Sequence, residues 1–274
     1  MNPQKVAGPK ELCTWGTKMS ELSGIFAIWY RELKVFLREK SRIVSSVINP
    51  IFWLVVLGGG IGSAVSFFNL NYQTFIYPGI LAQTVLFSSI FFGLYIVWDK
   101  RIDFLKEVLV APISRTSIFI GKVMGGATDS LIQVILLLAM GFVLTQVGVL
   151  SGLILTVPSI LLSIAMLFIT TTGMVSIGLI IGSQLESIEG FQVFSTFLIM
   201  PMFFLSGALF PLDNLPSWLA VLTNIDPLTY TVDGLRAILL GTSHFSLAFD
   251  FGIITMFSVV LIIIGTFAFQ KMKV

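Results

Sequence analysis

Charge is what this sequence has least of. Of its 274 residues only 11% are charged, against 56% hydrophobic, and the mean hydropathy is +0.98, far from the roughly 25% charged and 45–50% apolar of soluble domains. A soluble fold is excluded. A single cysteine, Cys13, excludes an internal disulfide. A single histidine, His244, leaves no set of imidazoles for a metal or a general base. Serines are plentiful, but the apolar runs offer no histidine and almost no carboxylate to activate one, which disfavours an intramembrane hydrolase. No segment reads as a phosphate-binding loop: Gly121-Lys122-Val123 lacks both the leading glycine and the hydroxyl residue. The chain therefore does not hydrolyse ATP by itself. A net charge of +2 gives no reason to expect a nucleic-acid partner.

What remains is apolar sequence in long runs. A hydrocarbon core of about 30 Å takes roughly 20 residues of helix, because lipid cannot pair with exposed backbone groups. Six runs qualify, over 44–68, 75–98, 118–147, 153–183, 191–210 and 249–269. The expected fold class is an all-α integral membrane protein with six transmembrane helices. Its organisation is a tail over 1–20, an interfacial helix over 21–42, a membrane domain over 43–270 and a short tail over 271–274. The polar tail shows no signal-peptide core.

Cations fall on one side of these runs. Eight Lys and Arg precede the first span, five follow the second (Lys100, Arg101, Lys106, Arg115, Lys122), and Lys271 and Lys273 close the chain; Arg236 alone lies opposite. Positive-inside asymmetry then places both termini in the cytoplasm of a multi-pass protein. Ahead of the first span, Ile25, Trp29, Leu33, Phe36 and Leu37 recur at helical spacing while Arg31, Lys34 and Arg38 take another face, the pattern of a helix lying on the membrane surface.

Two inward connections are candidates for docking a soluble partner. The first, over 99–115, carries Arg101, Asp103, Lys106 and Glu107 on a short helix stopped by Pro112; the second is the short turn with Gln184, Glu186 and Glu189. The outward segment over 211–247 holds helix signals of its own. Pro216-Ser217 opens one short helix through Leu222, and Asp226-Pro227 opens another that Gly241 ends. Both are too apolar for a solvated loop and are expected to dip back into the membrane. Asp233 and Arg236, three apart, are expected to pair there. Gly58, Gly59, Gly60 and Gly62 lie inside a span and read as helix-packing positions. Asp129 is the one acid well inside an apolar run, with Lys122 two turns away as its candidate partner, but residues 130–150 alone are long enough to cross, which would place Asp129 near the cytoplasmic headgroups. Of the 25 phenylalanines, Phe191, Phe194, Phe197, Phe203 and Phe204 in the fifth span are candidates for lining a substrate path.

The stretch over 199–236 runs Ile199, Met202, Leu205-Ser206, Ala208, Leu215-Pro216, Pro227-Leu228, Tyr230, Arg236. Over that length it resembles the signature of the ABC-2 family of ABC transporter membrane subunits. The phrases around Phe203–Pro211 and Pro227–Tyr230 are most similar to the branch with daunorubicin-resistance and nodulation-factor export permeases. The resemblance implies a permease subunit of an ATP-driven exporter in a prokaryotic plasma membrane, moving a drug or lipid-like molecule. It also implies two ATP-binding subunits, which would hold the ATP and Mg while this chain holds no cofactor, and a second permease subunit, expected as a homodimer. The two inward connections would transmit ATP-driven closure, and the first, second and fifth spans would enclose the path. Pro211, Pro227, Tyr230, Asp233 and Arg236 mark the outward segment or gate. Polysaccharide or lipid-linked glycan export is the alternative on the same fold. An ion-coupled carrier would need buried ionisable residues, of which Asp129 is the sequence's one candidate.

Overall fold

A computed structural model describes residues 21–62, 66–67, 70–110, 113–213 and 215–272. The tail over 1–20 with Cys13, Pro112, the last two residues and the side chain of Lys106 lie outside the described residues. The described chain forms eleven helices: α1 (Glu21–Arg38), α2 (Lys40–Gly62), α3 (Tyr72–Phe92), α4 (Leu94–Arg101), α5 (Phe104–Val110), α6 (Arg115–Gln146), α7 (Val157–Gln184), α8 (Ile188–Leu205), α9 (Ser217–Ile225), α10 (Pro227–Leu240) and α11 (Leu247–Gln270). Six stretches are long and apolar enough to cross a membrane: α2, α3 continuing through α4, α6, α7, α8 and α11. The all-α, six-span expectation holds. The first span ends sooner than its apolar run, because two-residue strands β1 (Ser66–Phe67) and β2 (Leu70–Asn71) pair antiparallel after it. A short apolar run suits strand as well as helix, and hydropathy does not distinguish them.

α3 and α7 form the centre. Nearly every α3 residue from Tyr72 to Ile90 is buried, while α2, α8 and α11 turn Ile48, Phe52, Phe197, Ile263 and Phe267 outward. Outward apolar faces carry no penalty where the solvent is hydrocarbon. The two central helices meet backbone to backbone. A Cβ on Gly178 would collide with the Ile90 carbonyl, and one on Gly182 with the carbonyl of Gly93, the residue where α3 gives way to α4. In the glycine cluster of α2, Gly58 does pack, against Gln73, but Gly59 and Gly60 face open space.

The end of the bundle remote from α1 is closed by α9 and α10, whose 9 and 14 residues are too short to cross. α10 begins as its sequence dictates: the Asp226 carboxylate accepts from the Leu228 amide at 2.9 Å, Pro227 takes the first helical position, and Gly241 ends the helix at φ 70°. α9 runs three residues beyond the expected Leu222, to Ile225. α10 packs between α3, α7 and α11 and is buried on all sides.

α1 lies across α6. Ile25, Ile28, Trp29 and Phe36 turn toward the bundle, whereas Leu22, Phe26, Tyr30 and Leu37 stand exposed along the opposite side. The apolar stripe read from the sequence therefore mixes two faces: most of it seals α1 onto protein, and a second apolar row faces outward.

Candidate functional site

The two connections at the α1 end are joined by Lys100, which sequence reasoning counted only as a charge. Its Nζ donates to the carbonyls of Ser183 at 2.5 Å and of Gly182 and Leu185 at 3.3 Å. A cation at a helix C-terminus meets the orphan carbonyls there, so the last turn of α4 is pinned to the last turn of α7. Arg101 reaches Glu189 at 3.9 Å, with both side chains largely exposed. Gln184, Glu186 and Glu107 are exposed on the same end. The expected short helix is α5, which starts at Phe104 because α4 carries the second span on to Arg101. Asp103 sits between them with φ 57°, in the left-handed region that turns the chain and that aspartate tolerates better than most residues.

Behind this surface lies a cluster of buried ions. Lys122 of α6 donates to Asp99 of α4 at 2.7 Å and to Glu32 of α1 at 3.1 Å, all three almost fully buried. Arg31 bonds Glu32 at 2.7 Å and Asp99 at 3.0 Å and lies 4.1 Å over the Phe104 ring of α5. Burial opposes the charge on Arg31, but the two carboxylates outweigh it and hold its pKa above the ordinary arginine value. The sequence placed Lys122 with Asp129. The fold separates them, because α1 and α4 bring carboxylates nearer to Lys122, and Asp129 pairs instead with Arg42 at 3.5 Å. Arg42 also donates to Tyr95 at 2.6 Å, and Tyr95 donates to Glu39 at 2.7 Å. Elsewhere on α1, Trp29 donates to Thr128 at 2.9 Å, Lys34 lies 4.4 Å over the Tyr30 ring, and Arg38 is exposed on the last turn. Hydrogen bonds from Ser117 and Ser114, at the start of α6, hold the Glu21 carboxyl below its usual pKa.

A cavity of about 360 Å³ opens between α2, α3 and α6, lined by Arg42, Asn49, Trp53, Gln83, Phe91 and Gln133 among others. None of the five phenylalanines proposed from the sequence lines it. Phe191 is buried and packs on Phe91 at 6.5 Å, and Phe203 is buried against Trp53 at 6.0 Å, so these two support the wall from behind. Phe194, Phe197 and Phe204 are exposed. Spacing along α8 brought them to notice. The polar lining left no such signal, since Asn49, Gln83 and Gln133 sit on three separate helices.

At the far end, Asp233 and Arg236 are not paired with each other; each is met by backbone. The Asp233 carboxylate accepts from the amides of His244 at 2.8 Å and Phe245 at 2.7 Å. Arg236 donates to the carbonyls of Gly207 at 2.7 Å and Ala208 at 3.3 Å and stacks 4.0 Å over Phe75. Tyr230 donates to the Asn224 carbonyl at 2.7 Å, joining α10 to α9. Pro211 borders a hollow of about 70 Å³ with Asp213, Asp233, Arg236 and His244.

The sequence is similar to several named permeases. It is 32% identical to the transport permease ycf38 of Cyanophora paradoxa over 231 residues, covering 79% of this chain and 77% of that protein. Against the inner membrane transport permease YadH of Escherichia coli K12 the identity is 29% over 245 residues, covering 85% and 89%. Against nodulation protein J of Rhizobium leguminosarum bv. viciae it is 24% over 244 residues, covering 88% and 91%. The family model for the ABC-2 type transporter matches residues 23–240, from α1 to the end of α10. With six apolar spans, a joined pair of connections at one end and a match over most of its length, this chain belongs to the ABC-2 type transporter family and is a membrane transport subunit.

Proposed function

We infer that the chain is the permease subunit of an ATP-driven exporter, working as a pair of copies with two ATP-binding subunits. Its substrate would be a drug-like or lipid-like amphiphile taken from the cytoplasm or inner leaflet. The basic end faces the cytoplasm of a prokaryotic cell, the outer row of α1 (Leu22, Phe26, Tyr30, Leu37) rests in the headgroup region, and α9 and α10 close the outward side. One observation carries the coupling role: Lys100 binds the last turn of α4 to that of α7, so a partner pressing on α5 and the α7–α8 turn moves the two central helices together. ATP binding favours one arrangement of the two permease copies, and a substrate moves only if its affinity differs between the arrangements. Glycan export on the same fold is the second reading. It draws on the amide and aromatic lining of the cavity, groups that also suit a sugar.

The test is co-purification of the tagged chain with the ATP-binding protein encoded beside it, followed by ATPase assay in nanodiscs with alanine at Asp103, Glu107 and Glu186. A stable complex whose substrate-stimulated ATPase falls severalfold in the variants supports the reading. A chain that captures no ATP-binding protein overturns it.

A further inference from the structure

A second cavity, about 520 Å³, is lined by Glu39, Leu94, Tyr95 and Trp98 and shares Arg42 and Phe91 with the first. Those two side chains are the partition between a more polar chamber and one rimmed by the α1–α2 joint. The groups around the partition are only partly spent on the protein. Arg42 has five N–H donors, yet it makes one hydrogen bond, to Tyr95, with the Asp129 carboxylate at 3.5 Å beside it. Gln83 is only 6% exposed, lines the first cavity and hydrogen-bonds to no described residue. Its amide opens onto the cavity, where two donors and an acceptor are available to a ligand. Ser45 and Ser46 spend their protons on carbonyls of their own helix and turn only acceptor lone pairs to the space. Donors therefore stand at Arg42 and Gln83 and acceptors at Ser45, Ser46 and Glu39, while Trp53, Phe87 and Phe91 supply an apolar wall.

We propose that these adjoining cavities form a headgroup site for a zwitterionic amphiphile, with its acid group on Arg42 and Gln83, its amine reaching past Arg42 toward Glu39 and its apolar part along Trp53 and Phe87. The proposal deepens the transport reading and depends on it only for the role of the ligand as cargo. A bilayer phospholipid and an exported amphiphile share this chemistry.

The test uses the full chain in dodecyl maltoside, with melting temperature followed against lysophosphatidylcholine as the probe. Wild type should be stabilised saturably. Arg42→Gln and Gln83→Leu should each raise the half-saturating concentration about tenfold, the loss of one charged or buried hydrogen bond, and Ser46→Phe, which fills the cavity, should abolish the response. Gln83→Leu removes an amide that has no protein partner, so it keeps its fold without the probe and carries the test even where Arg42→Gln does not. Equal stabilisation of wild type, Gln83→Leu and Ser46→Phe overturns the site, as does an equal response to a non-ionic amphiphile of the same chain length. In nanodiscs with the ATP-binding partner, a bound probe that alters ATPase identifies cargo, and one that binds without altering it identifies a resident lipid; the second outcome keeps the site and overturns only its role in transport.

Discussion

The two ends of the bundle handle buried charge in opposite ways. At the α1 end the ions meet each other: Lys122 lies between Glu32 and Asp99, Arg31 spans the same two acids, and Arg42 faces Asp129. At the α10 end Asp233 and Arg236 meet backbone: Asp233 takes the amides of His244 and Phe245, and Arg236 gives to the carbonyls of Gly207 and Ala208, while Asp250 beside them is buried with no hydrogen-bond partner among the described residues. The difference is one of what can move. A backbone partner is fixed by the fold, so Asp233 and Arg236 each have a single arrangement. Side-chain ion pairs between three separate helices can trade partners as α1, α4 and α6 shift, and the α1 end is where we propose the coupling surface. One end is built as a fixed closure and the other as a joint.

The largest effect that would break this comparison is at Lys122. Lys122→Met leaves Glu32 and Asp99 with Arg31 alone, one buried negative charge uncompensated, and should destabilise the chain by about 3–5 kcal/mol, read as loss of resistance to chemical unfolding in detergent micelles. Adding Asp99→Asn should recover part of the loss, because the uncompensated charge falls. Asp233→Ala is the counterpart at the other end. It strands two amides and should cost roughly 2–3 kcal/mol, with Asp233→Asn recovering less than half, since the NH2 that replaces one carboxylate oxygen meets the His244 amide donor to donor. Combined, Lys122→Met and Asp233→Ala should be additive within about 0.5 kcal/mol, as expected of distant sites with no shared partner. Strong coupling between them would mean that the two ends form one network.

The sequence made legible whatever depends on hydropathy and local chemistry. The six spans and the Asp226-Pro227 start and Gly241 stop of α10 needed only segment length, an N-cap and one left-handed residue. Partner choice was not legible, because it depends on which helices adjoin. Lys122 and Asp129 share a face of α6, and Asp233 and Arg236 share one of α10, but neither pair forms: carboxylates from α1 and α4 reach Lys122, and loop amides reach Asp233. The cavity was hidden for the same reason. Spacing singled out phenylalanines along α8, whereas the lining sets a face of α2 against a face of α3 and Gln133 of α6, an adjacency that only the fold supplies.

The smallest expected effect sharpens the comparison from within the α1 end. Trp29 donates to Thr128 at 2.9 Å, and Thr128 in turn donates to the Met124 carbonyl at 2.8 Å, so this contact between α1 and α6 is neutral and lies outside the ion cluster. Trp29→Phe keeps an aromatic ring against α6 and removes only the donor. The cost should be about 0.5–1.5 kcal/mol. Thr128→Val removes the same bond from the other side, so the double variant should lose less than the sum of the two, with the shortfall measuring the bond itself. If α1 is held chiefly by its ions, Trp29→Phe should leave partner-stimulated ATPase unchanged while Lys122→Met depresses it. Equal depression by both would mean that any loosening of α1 breaks the joint, and that the ion pairs are there for attachment rather than for exchange.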